Sequence, residues 1–126
     1  PLGKKLSLKP GLRVWFDAIP DSVLAEIDMP DLVYLAAPQP GLDAAHIFVT
    51  GRADMEAKLT MLRPLLQPAG FIWVSWPKKA SKVPTDITED TIRAVILPTT
   101  DLVDVKVCAV DAVWSALKLM IRKDRR

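Results

Sequence analysis

The stretch FIWVSWPKK, residues 71–79, organises this chain: it is an apolar run that ends in a proline and two lysines. A short run rich in aromatic and β-branched residues predicts a strand that is buried on both faces. Strands of this kind lie inside the parallel sheets of α/β proteins. We expect this one to deliver the basic loop that follows it to the carboxyl edge of the sheet, where open α/β folds bind their ligands.

Length and composition fit one globular domain over residues 1–126. Half of the residues are hydrophobic and a quarter are charged, which is enough to build one core. The net charge is +2, and residues 122–126 hold four basic residues and one acidic residue. We interpret this basic tail as a solvated chain end. No apolar run is long enough to span a bilayer, so we expect no membrane contact.

One cysteine and one histidine limit the possible chemistry. Cys108 has no cysteine partner for an internal disulfide, which favours a reducing, cytoplasmic setting. His46 lies within an apolar strand, where we expect a packed core position. In the sheet order inferred below, their strands lie three apart, roughly 14 Å, which argues against a Cys-His dyad. The two residues are also too few for a usual zinc site.

Strands that alternate with helices predict an α/β fold with a mostly parallel sheet. We expect helices at 2–8, 21–27, 52–66 and 89–97, and strands at 13–16, 32–36, 44–50, 71–76, 102–110 and 117–121. The connection at 111–113 is too short for a crossover, so the last two strands form an antiparallel hairpin. In the edge strand at 102–110, alternating valines are expected to share one face.

Placing the last strand between strands four and five yields the order 2-1-3-4-6-5, a three-layer Rossmann-like sheet with its last strand antiparallel. The direction of strand 32–36 stays open, because the connection to the next strand is short. This order resembles the methyltransferase-like Rossmann domains that use S-adenosylmethionine (SAM). The turns at 9–11 (KPG) and 66–70 (LQPAG) look like turns of that class.

A second resemblance covers nearly the whole chain and is to a family of small bacterial proteins of unknown function. Its pattern is carried by KPG at 9–11, FVT at 48–50, WVSWPKK at 73–79, TD at 85–86, TED at 88–90 and LVDVKVCA at 102–109. The Trp-Pro-Lys-Lys signature is the most specific of these segments. This resemblance supports the fold and implies no particular reaction.

Two contacts that the methyltransferase resemblance implies are missing from the sequence. Members of that class have a glycine-rich turn after strand one, where bare backbone approaches the cofactor. Residues 17–20 (DAIP) contain no glycine. A carboxylate at the end of strand two usually binds the ribose hydroxyls, and residues 35–38 (LAAP) contain none. We therefore expect no cofactor and no SAM binding.

The candidate site is the rim at the carboxyl edge, where the fold would bring together Asp17, Thr50, Arg52, Trp76, Lys78 and Lys79. The basic groups suit a phosphate or carboxylate, and the indole suits a planar ring. The oxygen-bearing residues at 85–90 are a possible magnesium site, but we interpret them as helix caps and dipole-compensating acids, and expect no metal.

The leading hypothesis is a non-catalytic methyltransferase-like domain that binds a small anionic ligand or a protein partner at this edge. One alternative is an enzyme that uses Asp17 as a base and Lys78 or Lys79 as an electrostatic stabiliser. Another is a structural module that forms a homodimer through the edge strand at 102–110. Aromatic and basic residues are not interleaved, so nucleic-acid binding is not expected.

Overall fold

A computed structural model describes residues 1–126. Its six strands are β1 (Arg13–Asp17), β2 (Val33–Tyr34), β3 (Leu42–Phe48), β4 (Leu66–Pro77), β5 (Leu102–Ala109) and β6 (Trp114–Ile121). They form one sheet in the order β2-β1-β3-β4-β6-β5. The β1–β2, β1–β3 and β3–β4 pairs are parallel, and β6 runs antiparallel to both of its neighbours. This confirms the predicted strand order.

The four α-helices are α1 (Leu2–Lys5), which precedes β1, and α2 (Asp21–Ile27), α3 (Arg52–Leu62) and α4 (Glu89–Thr99), which lie between strands. The helix predicted to reach residue 66 ends earlier, because Pro64 has no N–H and a 3₁₀ turn at Arg63–Leu65 replaces the last turn. α4 instead continues through Pro98 to Thr99. None of these helices is long and apolar enough to cross a membrane.

Both faces of the sheet are buried, as the apolar run predicts. Along β4, Ile72, Val74 and Trp76 join the core beneath α3 and α4. The alternate residues Phe71 and Trp73 join a second core beneath α1 and α2. The Trp73 indole donates a hydrogen bond to the Leu6 carbonyl at 2.8 Å, so its one polar atom is satisfied inside the protein.

The short β2 runs parallel to β1, and the chain returns from it across β1 to reach β3. Arg13 supports this return: its side chain donates to the carbonyl of Gly41 and to the side chain of Gln39. The backbone N–H of Arg13 donates to the Asp43 carboxylate at 2.8 Å. Gly41 takes a φ of +83°, which only glycine adopts readily. Together these contacts make the tight connection possible.

The edge strand β5 differs from the predicted alternation. A bulge between Asp104 and Lys106 inserts one residue and reverses the face of those that follow. Val103 therefore lies opposite Met120 while Val107 lies opposite Leu117, on the other face. Val105 and Val107 are half exposed, at 48% and 50%. Bulges disfavour edge-to-edge pairing, and a homodimer through this strand stays a prediction.

Candidate functional site

Asp17, the last residue of β1, is held by an ion pair rather than free at the rim. Its Oδ2 lies 2.5 Å from the Nζ of Lys58 on α3, and this buried oxygen has no other polar contact. Lys58 also contacts Asp54 at 2.9 Å. Burial works against the charged ammonium, but its bonds to Asp17 and Asp54 outweigh burial and raise the pKa of Lys58.

The turn that follows β1 contains a left-handed residue, which the glycine-free sequence at 17–20 does not predict. Ala18 takes a φ of +55°, in the left-handed region that glycine adopts without penalty and alanine does not. Ala18 is also exposed at the carboxyl edge. The backbone geometry associated with a glycine turn is therefore present here without a glycine.

A loop from before α4 crosses over the end of β3. The Thr50 carbonyl accepts hydrogen bonds from the Thr85 hydroxyl at 2.6 Å and from the Asp86 N–H at 3.4 Å. The Asp86 carboxylate in turn accepts the Arg52 N–H at 2.7 Å and so caps α3. This crossing lies between β1 and β4, so Asp17 and the end of β4 occupy separate parts of the rim.

Besides Asp17, three more of the predicted site residues have structural partners. Thr50 anchors the crossing loop through its carbonyl, and the Arg52 side chain pairs with Glu56 at 2.9 Å on the surface of α3. Lys78 extends to the hairpin between β5 and β6, where its Nζ lies 2.5 Å from the Asp111 carbonyl. Its backbone N–H also donates to Val113 at 2.7 Å. Lys78 therefore ties two strand ends together.

The end of β4 borders a groove of about 550 Å³. Lys79 and Lys82 lie on its rim, in and just after a 3₁₀ turn at Lys79–Ser81, and neither ammonium makes an ion pair or side-chain hydrogen bond. Trp76 contributes to the wall although it is only 8% exposed. The other lining residues that matter here are Val83, Thr85 and Ile87. We call this feature the β4 groove.

The β4 groove retains Trp76 and Lys79 of the six predicted site residues and includes Lys82, which belongs to the same basic loop in the sequence. The sequence signal for Lys82 is its position three residues beyond the Lys78-Lys79 pair. The contribution of Val83, Thr85 and Ile87 has no such signal, because it depends on the long-range bonds of the crossing loop.

The acids and hydroxyls at 85–90 act as caps and ion-pair partners. Thr88 and Thr91 exchange side-chain-to-backbone bonds at 3.1 and 3.2 Å and form a capping box at the start of α4. Glu89 and Asp90 both pair with Arg93. Arg93 also binds Asp104 of β5 at 2.8 Å, and this hydrogen bond holds the pKa of Asp104 below its usual value. These contacts support the structural interpretation.

Solved structures with a similar fold include SAM-dependent methyltransferases. A SAM-dependent methyltransferase from Aquifex aeolicus matches with a TM-score of 0.65 and 14% identity, over 94% of this chain and 86% of that one. The fold is that of the SAM-dependent methyltransferases. A putative type 11 methyltransferase from Sulfolobus solfataricus matches with a TM-score of 0.59 and 14% identity, over 90% and 85% of the two chains. No protein-family model and no curated protein sequence matches the chain.

The expectation of no cofactor and no SAM binding is corrected by these comparisons. Fibrillarin from Aeropyrum pernix, with natively bound SAM, matches with a TM-score of 0.55 and 10% identity over 89% of this chain and 67% of that one. The LepI complex with SAM matches with a TM-score of 0.58 and 12% identity over 96% and 39%. Proteins with this fold do hold SAM, and the missing glycine was too weak a reason to exclude it here.

The two ends of the rim differ in how well they suit SAM. At β1 the exposed Ala18 turn presents backbone in the left-handed region, next to the Asp17 carboxylate that is paired with Lys58. After β2, residues 35–38 contribute no carboxylate to the ribose hydroxyls. The rim therefore offers such a ligand exposed backbone at β1 and no carboxylate after β2.

Proposed function

We propose that this chain is a methyltransferase-fold domain that binds a small anionic ligand at the carboxyl edge of its sheet, in the β4 groove. The observation that carries the proposal is the pair of lysines on the rim of that groove. Lys79 and Lys82 have no carboxylate partner, although the other side of the rim pairs its charges closely. A concave site with two uncompensated cations attracts anions.

The shape and lining of the β4 groove support a ligand with a ring as well as an anionic group. Its volume of about 550 Å³ falls within the range of small-molecule sites. Trp76, Val83 and Ile87 supply apolar wall, against which a planar ring packs favourably. The Thr85 hydroxyl donates to the Thr50 carbonyl and accepts the Ile87 N–H, which leaves one oxygen lone pair to accept a bond from the ligand.

SAM carries an adenine ring and a carboxylate, but its ammonium and sulfonium groups make the whole molecule a net cation, so only its carboxylate would be attracted by the two lysines. The likeness to structures that hold SAM supports it as the first ligand to test. The Ala18 turn would hold one part of it, about 10 Å from β4, since β1 and β4 lie two strands apart. When bound, SAM would supply an activated methyl group, and the residues of this chain would bind and orient it.

Binding is better supported than acid-base catalysis by the residues at the rim. Asp17, the candidate base, is paired with Lys58, and Lys78, the candidate stabiliser, is bound to Asp111. A base must be free to take a proton in the reacting complex. Asp17 does not meet that requirement in this arrangement, although Lys79, the other candidate stabiliser, is unpaired.

Thermal-shift and calorimetric titration with SAM, S-adenosylhomocysteine and simple carboxylates tests the proposal. A ligand at 100 times its Kd adds about 2.7 kcal/mol of stability. The Lys79→Gln/Lys82→Gln variant should lose this effect. The matched control is Lys4→Gln/Lys123→Gln, which removes the same charge from exposed positions outside the groove. Equal loss in both variants, or no binding of any ligand, would rule the proposal out.

A further inference from the structure

A second concave surface lies at the opposite, amino edge of the sheet. Its volume is about 770 Å³, larger than that of the β4 groove. It forms where α3 and α4 end and where the chain leaves β6, and its apolar walls include Pro64 and Pro98. We call it the amino-edge groove. It shares no residue with the β4 groove.

The amino-edge groove has a surplus of positive charge. Arg63, Arg122 and Arg125 line it, against a single carboxylate, Asp101. Asp101 is fully used by Arg63, which binds its two oxygens at 2.6 and 2.7 Å. This hydrogen-bonded pairing lowers the pKa of Asp101, so the carboxylate stays ionised and locked to that arginine. The charges of Arg122 and Arg125 are left without compensation inside the groove.

These two arginines are less constrained by partners than Arg63. The Arg122 Nε lies 3.4 Å from the Asp124 carboxylate, and both side chains of this ion pair are exposed to solvent. Arg125 makes no ion pair and no side-chain hydrogen bond. Its five N–H donors are therefore available to a ligand.

The basic tail is solvent-exposed, as expected of a chain end, but hydrogen bonds hold its backbone and one of its side chains against the domain. The Arg122 N–H donates to the Asp101 carbonyl at 2.8 Å, and the Arg125 N–H to the Arg122 carbonyl at 2.9 Å in the turn Lys123–Arg125. The Arg126 side chain donates to the Ile121 carbonyl at 2.7 Å. A fixed backbone lowers the entropy lost when arginine side chains close on a ligand.

We propose that the amino-edge groove binds the phosphoryl group of a small phosphorylated ligand through Arg122 and Arg125. The planar guanidinium fork matches two phosphate oxygens at once, and a phosphate dianion neutralises two arginines. Arg63 and Asp101 form one wall as a neutral pair. Pro64 and Pro98 form an apolar surface beside the arginines, against which an apolar part of the ligand can pack.

Calorimetric titration of the whole chain with inorganic phosphate and with AMP, at constant ionic strength in chloride, tests this site. Arg125→Gln should weaken the binding of both by about tenfold or more, as expected when a charged hydrogen-bond donor is lost. The control is Lys123→Gln, which removes the same charge from the same turn but does not line the groove. Its affinity should stay within about twofold of the unmodified chain.

Arg125→Lys separates geometry from charge: it keeps the cation, loses the fork, and should retain only part of the affinity. The Lys79→Gln/Lys82→Gln variant should bind phosphate in the amino-edge groove with unchanged affinity. The proposals for the two grooves are therefore tested independently. Equal weakening in Arg125→Gln and Lys123→Gln, or no phosphate binding by the unmodified chain, would overturn the proposal. The proposal would also be overturned if a single-stranded oligonucleotide bound more tightly than AMP, and if Arg125→Gln and Lys123→Gln both showed the same steep salt dependence of that binding.

Discussion

The His46 Nε2 lies 2.6 Å from the Ser75 Oγ, and both side chains are buried between β3 and β4. The imidazole also stacks on Phe48, with ring centroids 4.4 Å apart. Burial lowers the pKa of His46 to about 3. The only histidine in the chain is therefore a buried, neutral imidazole at pH 7, with one side-chain hydrogen bond.

This burial predicts a specific acid sensitivity. The unfolded chain takes up a proton on His46 near pH 6.5, but the folded chain does so only near pH 3, so acid favours unfolding between these values. From pH 7 to pH 5 the unmodified chain should lose about 2 kcal/mol more unfolding free energy than His46→Leu. Urea denaturation at both pH values measures this. An identical pH dependence in the two proteins would contradict the assigned pKa.

The crossing loop predicts a long-range helix cap. Asp86→Ala removes the acceptor for the Arg52 N–H and should lower the unfolding free energy by about 1 kcal/mol. Asp90→Ala is the control, because Asp90 is 95% exposed and its contact with Arg93 is a surface pair. That change should cost only a few tenths of a kcal/mol. Equal effects of the two substitutions in urea denaturation would show that Asp86 does not cap α3.

The neighbouring lysines at the end of β4 should respond differently to the same substitution. Lys78→Met breaks the bond to the Asp111 carbonyl and should destabilise the fold by about 1 kcal/mol. Lys79→Met removes an exposed, unpaired ammonium and should change stability by less than about 0.5 kcal/mol. Equilibrium unfolding of both variants decides this. A larger loss in Lys79→Met would reverse the roles assigned to them.

The left-handed turn after β1 predicts a stabilising substitution. Ala18→Gly relieves the unfavourable φ of +55° and should raise the unfolding free energy by about 0.5 to 1 kcal/mol. The matched control, Ala57→Gly on the exposed surface of α3, should lower it by about 1 kcal/mol. Thermal unfolding shows the sign directly. Destabilisation by Ala18→Gly would mean that the turn does not favour glycine.

The sheet could be predicted from local sequence, because its signals are local. The apolar run at 71–76 requires cover on both faces, and the three-residue connection at 111–113 requires a hairpin. These signals make β5 and β6 neighbours, and the full order also required the assumption that the last strand lies between β4 and β5. Thr88 was likewise recognisable as a helix cap from its immediate neighbours, and its capping box is present.

The candidate site could be predicted only in part, because its side chains depend on partners distant in sequence. Asp17 was expected to be free, yet Lys58 lies 41 positions later and neutralises it. Lys78 was expected to bind a ligand, yet its partner is the Asp111 carbonyl, 33 positions away. The cofactor expectation failed for a different reason: a missing glycine does not exclude the left-handed turn that Ala18 adopts.

The most direct test of the account is amide NMR of the ¹⁵N-labelled chain titrated with SAM. We predict saturable shifts confined to the carboxyl edge, at Ala18, Trp76, Lys79, Lys82 and Thr85, which are lost in Lys79→Gln/Lys82→Gln and kept in Lys4→Gln/Lys123→Gln. Shifts centred on the amino-edge groove, or no shifts for SAM and simple carboxylates alike, would contradict ligand binding at the carboxyl edge.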